Sequence, residues 1–456
     1  MIHLFVQSSK YLMLLLFLIY TYFCFHVFKY NDDTSRQKGS YTTQRFLMFL
    51  IHLDGFLVLY VTTNEIKLLG FYVAQIILFE GIYIIYHKFY KNASELVLNN
   101  MIMLLSIGMI ILTRISYEKA VRQFVFLVAG SVIALFIPLV IQKVSMFRNF
   151  TWIYAAVGIL LLLVVCVAGS VSYGAKLSLS FGGISIQPSE FVKIIFVFYI
   201  ASMLRQEITF RQFMITSAVS AVFVLILVAS KDLGGALLYF FTYLMIAYAA
   251  TKKFYVFAGG IGFLTLAAFL AGNFFSHVQT RVTAWSDPLA VIDKEGFQIC
   301  QSLFAIGTGG WFGLGLNQGM PSKIPVVEKD FVFSAIAEEM GGAFALCLIM
   351  VCISCFLMIF NLSMQMKDKF FKLVALGLGS IYALQVFLTI GGVTKFIPST
   401  GVTLPLISYG GSSLLSTIII FGIIQGLYIM QSVEISDKKK PLKRRADYGR
   451  KQKEKN

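Results

Sequence analysis

Thirteen apolar stretches set the terms for this chain: they fall near 11–29, 46–63, 68–86, 97–113, 122–142, 150–170, 191–205, 212–229, 234–250, 254–272, 333–360, 371–391 and 404–429. Each approaches the ~20 residues that span a ~30 Å hydrocarbon layer. A chain inside lipid has no water to satisfy its backbone amides, so each run predicts a transmembrane helix. Composition agrees, since 58% of the 456 residues are hydrophobic and 13% are charged, against roughly a quarter charged in a soluble domain. The expected fold is an all-α polytopic membrane protein.

The net charge of +16 would suggest a nucleic-acid partner in a soluble protein. Here its distribution points instead to topology. Lys29, Arg36, Lys38, Arg45, Lys88, Lys91, Lys143, Arg148, Arg205, Arg211, Lys252, Lys253, Lys367, Lys369 and Lys372 all fall in alternate loops, and the 436–456 tail holds ten Lys and Arg against three acids. The positive-inside rule makes those loops and the C-terminus cytoplasmic, and the tail suits contact with anionic membrane lipid. No nucleic-acid partner is expected. The N-terminal run, Tyr11 to Phe28, lacks a small-residue cleavage site and is expected to be a retained helix.

Metal, redox and nucleotide chemistry find little support. The Cys at 24, 166, 300, 347, 352 and 355 are scattered in apolar runs, and the His at 3, 26, 52, 87 and 277 have no ligand spacing. The Gly313-Leu-Gly315 stretch has no strand before it, so it predicts a flexible turn. Asp54 and Glu80 lie within apolar runs, where a charge needs a reason; pairing with His52 or another helix is one, catalysis another.

Most outward-facing polarity falls in one segment, about 274–331. Structureless loops beyond ~12–15 residues are uncommon in compact proteins, and this one carries Trp285, Phe297, Phe304, Trp311, Phe312 and three of eight prolines. It is expected to fold against the outer face, re-entrant near Gln301 to Gly315. Outward carboxylates are Asp232, Asp287, Asp293, Glu295, Glu328 and Asp330; outward cations are Lys176, Lys231, Arg281, Lys294, Lys323, Lys329 and Lys395. That mixture suits an anionic head group: cations stabilise a phosphate leaving group, and a carboxylate takes a proton from a hydroxyl. Asp330 abuts Phe331, Val332 and Phe333, where partial desolvation raises its basicity.

Six blocks carry a resemblance: Gly-Ile-Ser-Ile-Gln-Pro-Ser-Glu (183–190) followed by Phe-Val-Lys, Lys-Asp-Leu-Gly (231–234), Arg-Val-Thr-Ala-Trp-Ser-Asp-Pro (281–288), Gln-Ser-Leu-Phe-Ala-Ile-Gly-Thr-Gly-Gly (301–310), Lys-Asp-Phe-Val-Phe-Ser-Ala-Ile-Ala-Glu-Glu-Met-Gly (329–341) and Ile-Pro-Ser-Thr-Gly-Val-Thr-Leu-Pro-Leu-Ile-Ser-Tyr-Gly-Gly-Ser-Ser (397–413). Together they resemble the SEDS family of shape, elongation, division and sporulation proteins, such as FtsW, RodA and SpoVE. The resemblance implies a ten-helix core at 96–432 with a large extracellular loop, 273–332, preceded by about three extra helices in 1–95 and followed by a basic tail, 433–456.

It also implies a peptidoglycan glycosyltransferase of the bacterial cytoplasmic membrane, polymerising lipid II beside a class B penicillin-binding transpeptidase in division, elongation or sporulation. Asp330 matches the family's essential acid and is expected to be the general base, with Arg281, Lys329 and Lys395 as diphosphate contacts. Gln187, Ser189, Glu190, Asp232, Glu338, Ser408, Tyr409, Ser412 and Ser413 are motif positions that either shape and bind the head group or cap helices and pack them. The chain departs from the family at Gly174-Ala-Lys-Leu-Ser-Leu179, where an Arg-Trp pair is usual and Lys176 is the substitute cation, and at Thr389, where Asn is expected. No cofactor is required; a divalent cation could bridge the diphosphate to Asp232 or Asp330. A lipid II flippase and a non-catalytic scaffold for the transpeptidase are the rival functions.

Overall fold

The computed structural model describes residues 2–29, 34–143, 145–172, 175–181 and 184–453. Its helices are α1 (Ile2–Lys29), α2 (Thr34–Thr63), α3 (Lys67–Phe89), α4 (Glu95–Ile115), α5 (Tyr117–Lys143), α6 (Thr151–Ala168), α7 (Pro188–Met203), α8 (Phe210–Ala229), α9 (Leu233–Thr251), α10 (Phe254–Phe274), α11 (Ser276–Ser286), α12 (Phe297–Gly309), α13 (Val332–Met340), α14 (Gly342–Gln365), α15 (Lys369–Val393) and α16 (Gly411–Lys453). Twelve helices among the described residues are long and apolar enough to cross a membrane. The thirteenth predicted run is α7, whose 16 residues are shorter than the others and rise only about 24 Å. It is nonetheless central, with almost every residue from Val192 to Met203 buried.

Helix contacts follow from small residues. Gly422 and Gly426 of α16 form a small-xxx-small pair against α5: a β-carbon on Gly426 would lie 3.1 Å from the Pro138 Cα, so only the bare backbone permits this approach. Buried polar side chains then fix register. Gln425 of α16 accepts from the Ser94 amide at 2.8 Å and donates to the Ser94 carbonyl at 2.9 Å, anchoring the start of α4.

The two loop sets separated by charge meet at opposite ends of the bundle. At one end Arg148 pairs with Asp368 at 3.2 Å, Arg205 donates to Asn149 and Lys369 to the Gln206 carbonyl. At the other end, Arg281 reaches the Ser399 carbonyl, the Tyr409 amide reaches the Glu328 carbonyl, and Arg114 reaches the Gly319 carbonyl. The long segment there is folded, as expected, with α11, α12 and α13 connected by ordered turns.

One element differs from the all-helical expectation. A three-stranded antiparallel sheet, β1 (Ser170–Ser172), β2 (Ala175–Phe181) and β3 (Ile184–Ile186), occupies the loop between α6 and α7. The alternation Leu177-Ser178-Leu179-Ser180-Phe181 is its period-two signature.

The intramembrane acids both find partners. Asp54 accepts from Ser9 of α1 at 2.6 Å, Glu80 pairs with Arg45, and His52 instead meets Ser106 of α4 at 2.7 Å. Helix pairing, the first of the two expectations for these acids, accounts for both.

Candidate active site

A cavity of about 900 Å³ opens where α5, α7, α9, α11 and the 399–413 segment converge. Ten residues of the sequence-derived set line it: Gln187, Ser189, Glu190, Asp232, Arg281, Lys329, Asp330, Tyr409, Ser412 and Ser413. They come from five separate stretches of chain, and local contacts place them.

Asp330 stands just before α13, whose first residues are apolar and buried, with Phe331 2% and Val332 0% exposed. The stretch preceding it is clamped. Ser408 Oγ donates to the Lys329 carbonyl at 2.5 Å, and the Tyr409 amide donates to the Glu328 carbonyl at 2.7 Å. Gln123 of α5 holds the clamp from behind, donating to the Ser408 carbonyl and accepting from the Gly410 amide. Ser408 therefore acts on the backbone beside Asp330 rather than on the cavity.

Arg281 and Asp330 flank Gly401. A β-carbon there would lie 3.7 Å from Arg281 Nη2 and 3.9 Å from Asp330 Oδ2, and the residue has φ +73°. A glycine thus meets both needs at once: it accepts the left-handed backbone and leaves the space between cation and carboxylate open. Arg281 is steadied by its bond to the Ser399 carbonyl at 3.1 Å.

Burial pushes the Asp330 carboxyl up to about 6, with Lys329 and Arg281 pulling it down and Glu328 pushing it up. Asp232 is also raised to about 6, chiefly by burial, offset by the Gly235 amide and by Arg281, with Glu190 adding to the rise. Asp232 caps α9, accepting from Gly235 N at 2.9 Å. It therefore both caps a helix and faces the cavity. Glu328 goes the other way: its ion pair with Lys119 and nearby Lys329 outweigh burial and hold it low.

The floor is a buried ionic network that ties residues of the sequence-derived set to Lys193 and Gln385, which lie outside it. Lys193, only 1% exposed, pairs with Glu190 at 2.6 Å and donates to Gln385 at 3.0 Å. Gln385 passes the network to the Thr403 carbonyl and Ser413 Oγ, and Ser416 donates to Glu190. Ser412 accepts from the Gln187 amide, and Tyr239 donates to the Ser189 carbonyl. Lys193, Gln385, Gln123 and Arg122 are among the polar contributors that the sequence reading missed. A Lys or Gln inside an apolar helix was the available signal, because a lone buried polar group demands a partner.

Two further expected contacts, Lys395 and Glu338, lie elsewhere. Lys395 is not among the cavity-lining residues: it adopts φ +60° after α15 and offers its carbonyl to Trp285 Nε1 at 3.1 Å. Glu338 turns away to accept from the Met320 amide at 2.9 Å. The side chain of Lys176 falls outside the described residues. Among the described residues no three His, Cys, Asp or Glu side chains gather as a metal site.

The described residues form a multi-pass helical bundle with a charged cavity at the end of its helices, holding a half-buried carboxylate beside an arginine, the features of a membrane protein with a site for an anionic ligand. The chain belongs to the FtsW/RodA/SpoVE family, described as cell cycle protein, which matches residues 92–432. It is 36% identical over 267 residues to the peptidoglycan glycosyltransferase RodA of Mycobacterium tuberculosis, covering 55% of this chain and 57% of that one. The match thus spans little more than half of that relative. Stage V sporulation protein E of Bacillus subtilis is 33% identical over 328 residues, covering 68% of this chain and 86% of that protein. The fold is similar to a chain in a structure described as "Structural coordination of polymerization and crosslinking by a peptidoglycan synthase complex", with TM-score 0.64 at 22% identity over 74% of this chain and 98% of that chain.

Proposed function

We propose that the chain is a peptidoglycan glycosyltransferase that polymerises lipid II, with Asp330 as general base. The observation that carries this reading is Asp330 itself: a half-buried carboxylate in the cavity, raised to about 6 mainly by burial, with Arg281 across Gly401. A base with a pKa near the working pH is ionised yet still attracts a proton.

In this reading Asp330 removes the proton from the acceptor sugar hydroxyl as that oxygen bonds to the donor's anomeric carbon. The bond from that carbon to the lipid diphosphate breaks, and the diphosphate leaves with the electron pair. Arg281 and Lys329 stabilise the negative charge that develops on it. A diphosphate is a good leaving group without protonation, so one carboxylate suffices, and a single displacement inverts the anomeric centre. Asp232, raised by the same cause, holds the far side of the cavity together with the Glu190–Lys193 pair. A divalent cation, if used, would be held by the diphosphate and by Asp232 or Asp330.

The cavity end faces outward in this reading, and the basic loops and C-terminus face the cytoplasm, as the positive-inside rule requires. A class B penicillin-binding transpeptidase is the proposed partner. A flippase would use the same cavity for the head group without needing a base. Purified protein given lipid II, with and without its transpeptidase, separates the two. Asp330→Asn should abolish glycan polymerisation while leaving folding and partner binding intact; polymerisation at the wild-type rate would refute the assignment.

A further inference from the structure

Two of the helices that precede the family-matched region, α1 and α2, meet the same loop that carries Asp330. A turn at 312–320 links them to α13. From the α1 side, Lys10 Nζ donates to the Gly313 carbonyl at 3.0 Å and Gln7 Nε2 to the Leu314 carbonyl at 3.1 Å. From α2, Thr62 Oγ1 accepts from Asn317 Nδ2 at 2.9 Å. Val6 Cγ1 fills the space that a β-carbon on Gly315 would enter, at 2.8 Å.

The inner side of the turn is bonded to the C-terminal end of α13. The Leu314 and Gly315 amides donate to the Glu338 and Glu339 carbonyls at 3.0 and 2.8 Å. The Glu339 carboxylate, 0% exposed, accepts from the Asn317 and Gly319 amides and from Arg114 Nε at 3.0 Å. Glu338 accepts from the Met320 amide. Helix α13 is nine residues long and buried throughout, so a shift at one end is carried to the other. Asp330 lies two residues before its first turn.

We propose that α1 and α2 form a built-in positioning unit for the catalytic loop, in which Gln7, Lys10 and Thr62 hold the 312–320 turn, and the turn holds α13 and Asp330. The proposal rests on Asp330 being the base. None of the three side chains lines the cavity, so they are positioning residues that act through the turn.

The test compares full-length Gln7→Leu/Lys10→Met and Thr62→Val with wild type in lipid II polymerisation across pH. Displacing a base by about an ångström costs up to ~100-fold, so kcat should fall on the order of tenfold or more. KM for lipid II should stay unchanged, because the cavity cations are untouched. The acidic limb of kcat should move below about 6 as Asp330 gains water, and Lys10→Arg, which keeps a donor for Gly313, should retain activity. A purely structural role would reduce the yield of folded protein and leave kcat and the limb unmoved in what remains.

Folded variants with wild-type kcat and an unmoved limb would overturn the proposal. Thr62→Val replaces a hydroxyl with a near-isosteric methyl and decides the matter alone if the double variant does not fold. Asp330→Asn in the same assay separates the two claims. An active Asn variant refutes the base; an inactive one beside wild-type-like Gln7, Lys10 and Thr62 variants refutes only the positioning unit.

Discussion

Asp330→Asn should make the protein more stable as well as inactive, and the gain should depend on pH. Folding raises this carboxyl from an ordinary 3.8 to about 6. The folded state therefore binds the proton more tightly than the unfolded chain. Stability from this group is fully present below 3.8 and is lost as pH rises through about 6. Two units correspond to about 3 kcal/mol at most. Because the carboxylate is half-buried and faces an open cavity, solvent screening reduces this to about 1 kcal/mol. Asn keeps the shape and cannot ionise. In a chain of this size ~1 kcal/mol moves Tm by about 1–2 °C. Thermal unfolding of both proteins in detergent should show that gain for Asn at pH 8 and a smaller one at pH 4, vanishing only as pH falls below 3.8. An equal or lower Tm for Asn at pH 8 would refute the view that burial, rather than the neighbouring charges, dominates this site.

Other perturbations address the neighbours. Lys329→Met removes a charge that lowers Asp330 and Glu328→Gln one that raises it, so the acidic limb of kcat should move up in the first and down in the second, each by ~0.7 pH unit for about 1 kcal/mol of lost interaction. Lys193→Met strands the Glu190 carboxylate among the helices and should destabilise by about 3–5 kcal/mol, read as lost folded yield; adding Glu190→Gln should recover much of it. Gly401→Ala forces a side chain into φ +73° between Arg281 and Asp330, at about 1–2 kcal/mol of strain. Turnover of the folded protein should fall on the order of tenfold.

Much of this architecture was legible in the chain because lipid imposes so few solutions. Apolar length and alternating Lys and Arg were enough to separate the two sets of loops, and the 46–63 run is indeed a helix, inside Thr34–Thr63. Asp330 stood out by its apolar neighbours, and the burial that raises it is the same effect seen from inside. The sheet at 170–186 was missed because its short Leu-Ser alternation lay in a segment too brief to span lipid. Lys395 was misplaced because charge type says nothing about direction, and its backbone turns into the left-handed region after α15. The Glu190–Lys193 pair went unrecognised as a unit, although its i, i+3 spacing on α7 places both side chains on one face.

The enclosure of α4 has a consequence for how the protein is made. Leu96 to Thr113 is buried without interruption, and its polar residues find partners on the preceding helices: Tyr83 donates to Asn99, Tyr20 to Asn100, and His52 meets Ser106. Entering lipid alone, α4 would expose two amides and a hydroxyl to hydrocarbon. Synthesis runs from the N-terminus, so α1–α3 are already in the membrane when α4 emerges from the ribosome. The segment ahead of the family-matched region thus offers α4 a receiving surface during insertion, and its position before α4 in the chain, not only its presence, has physical value.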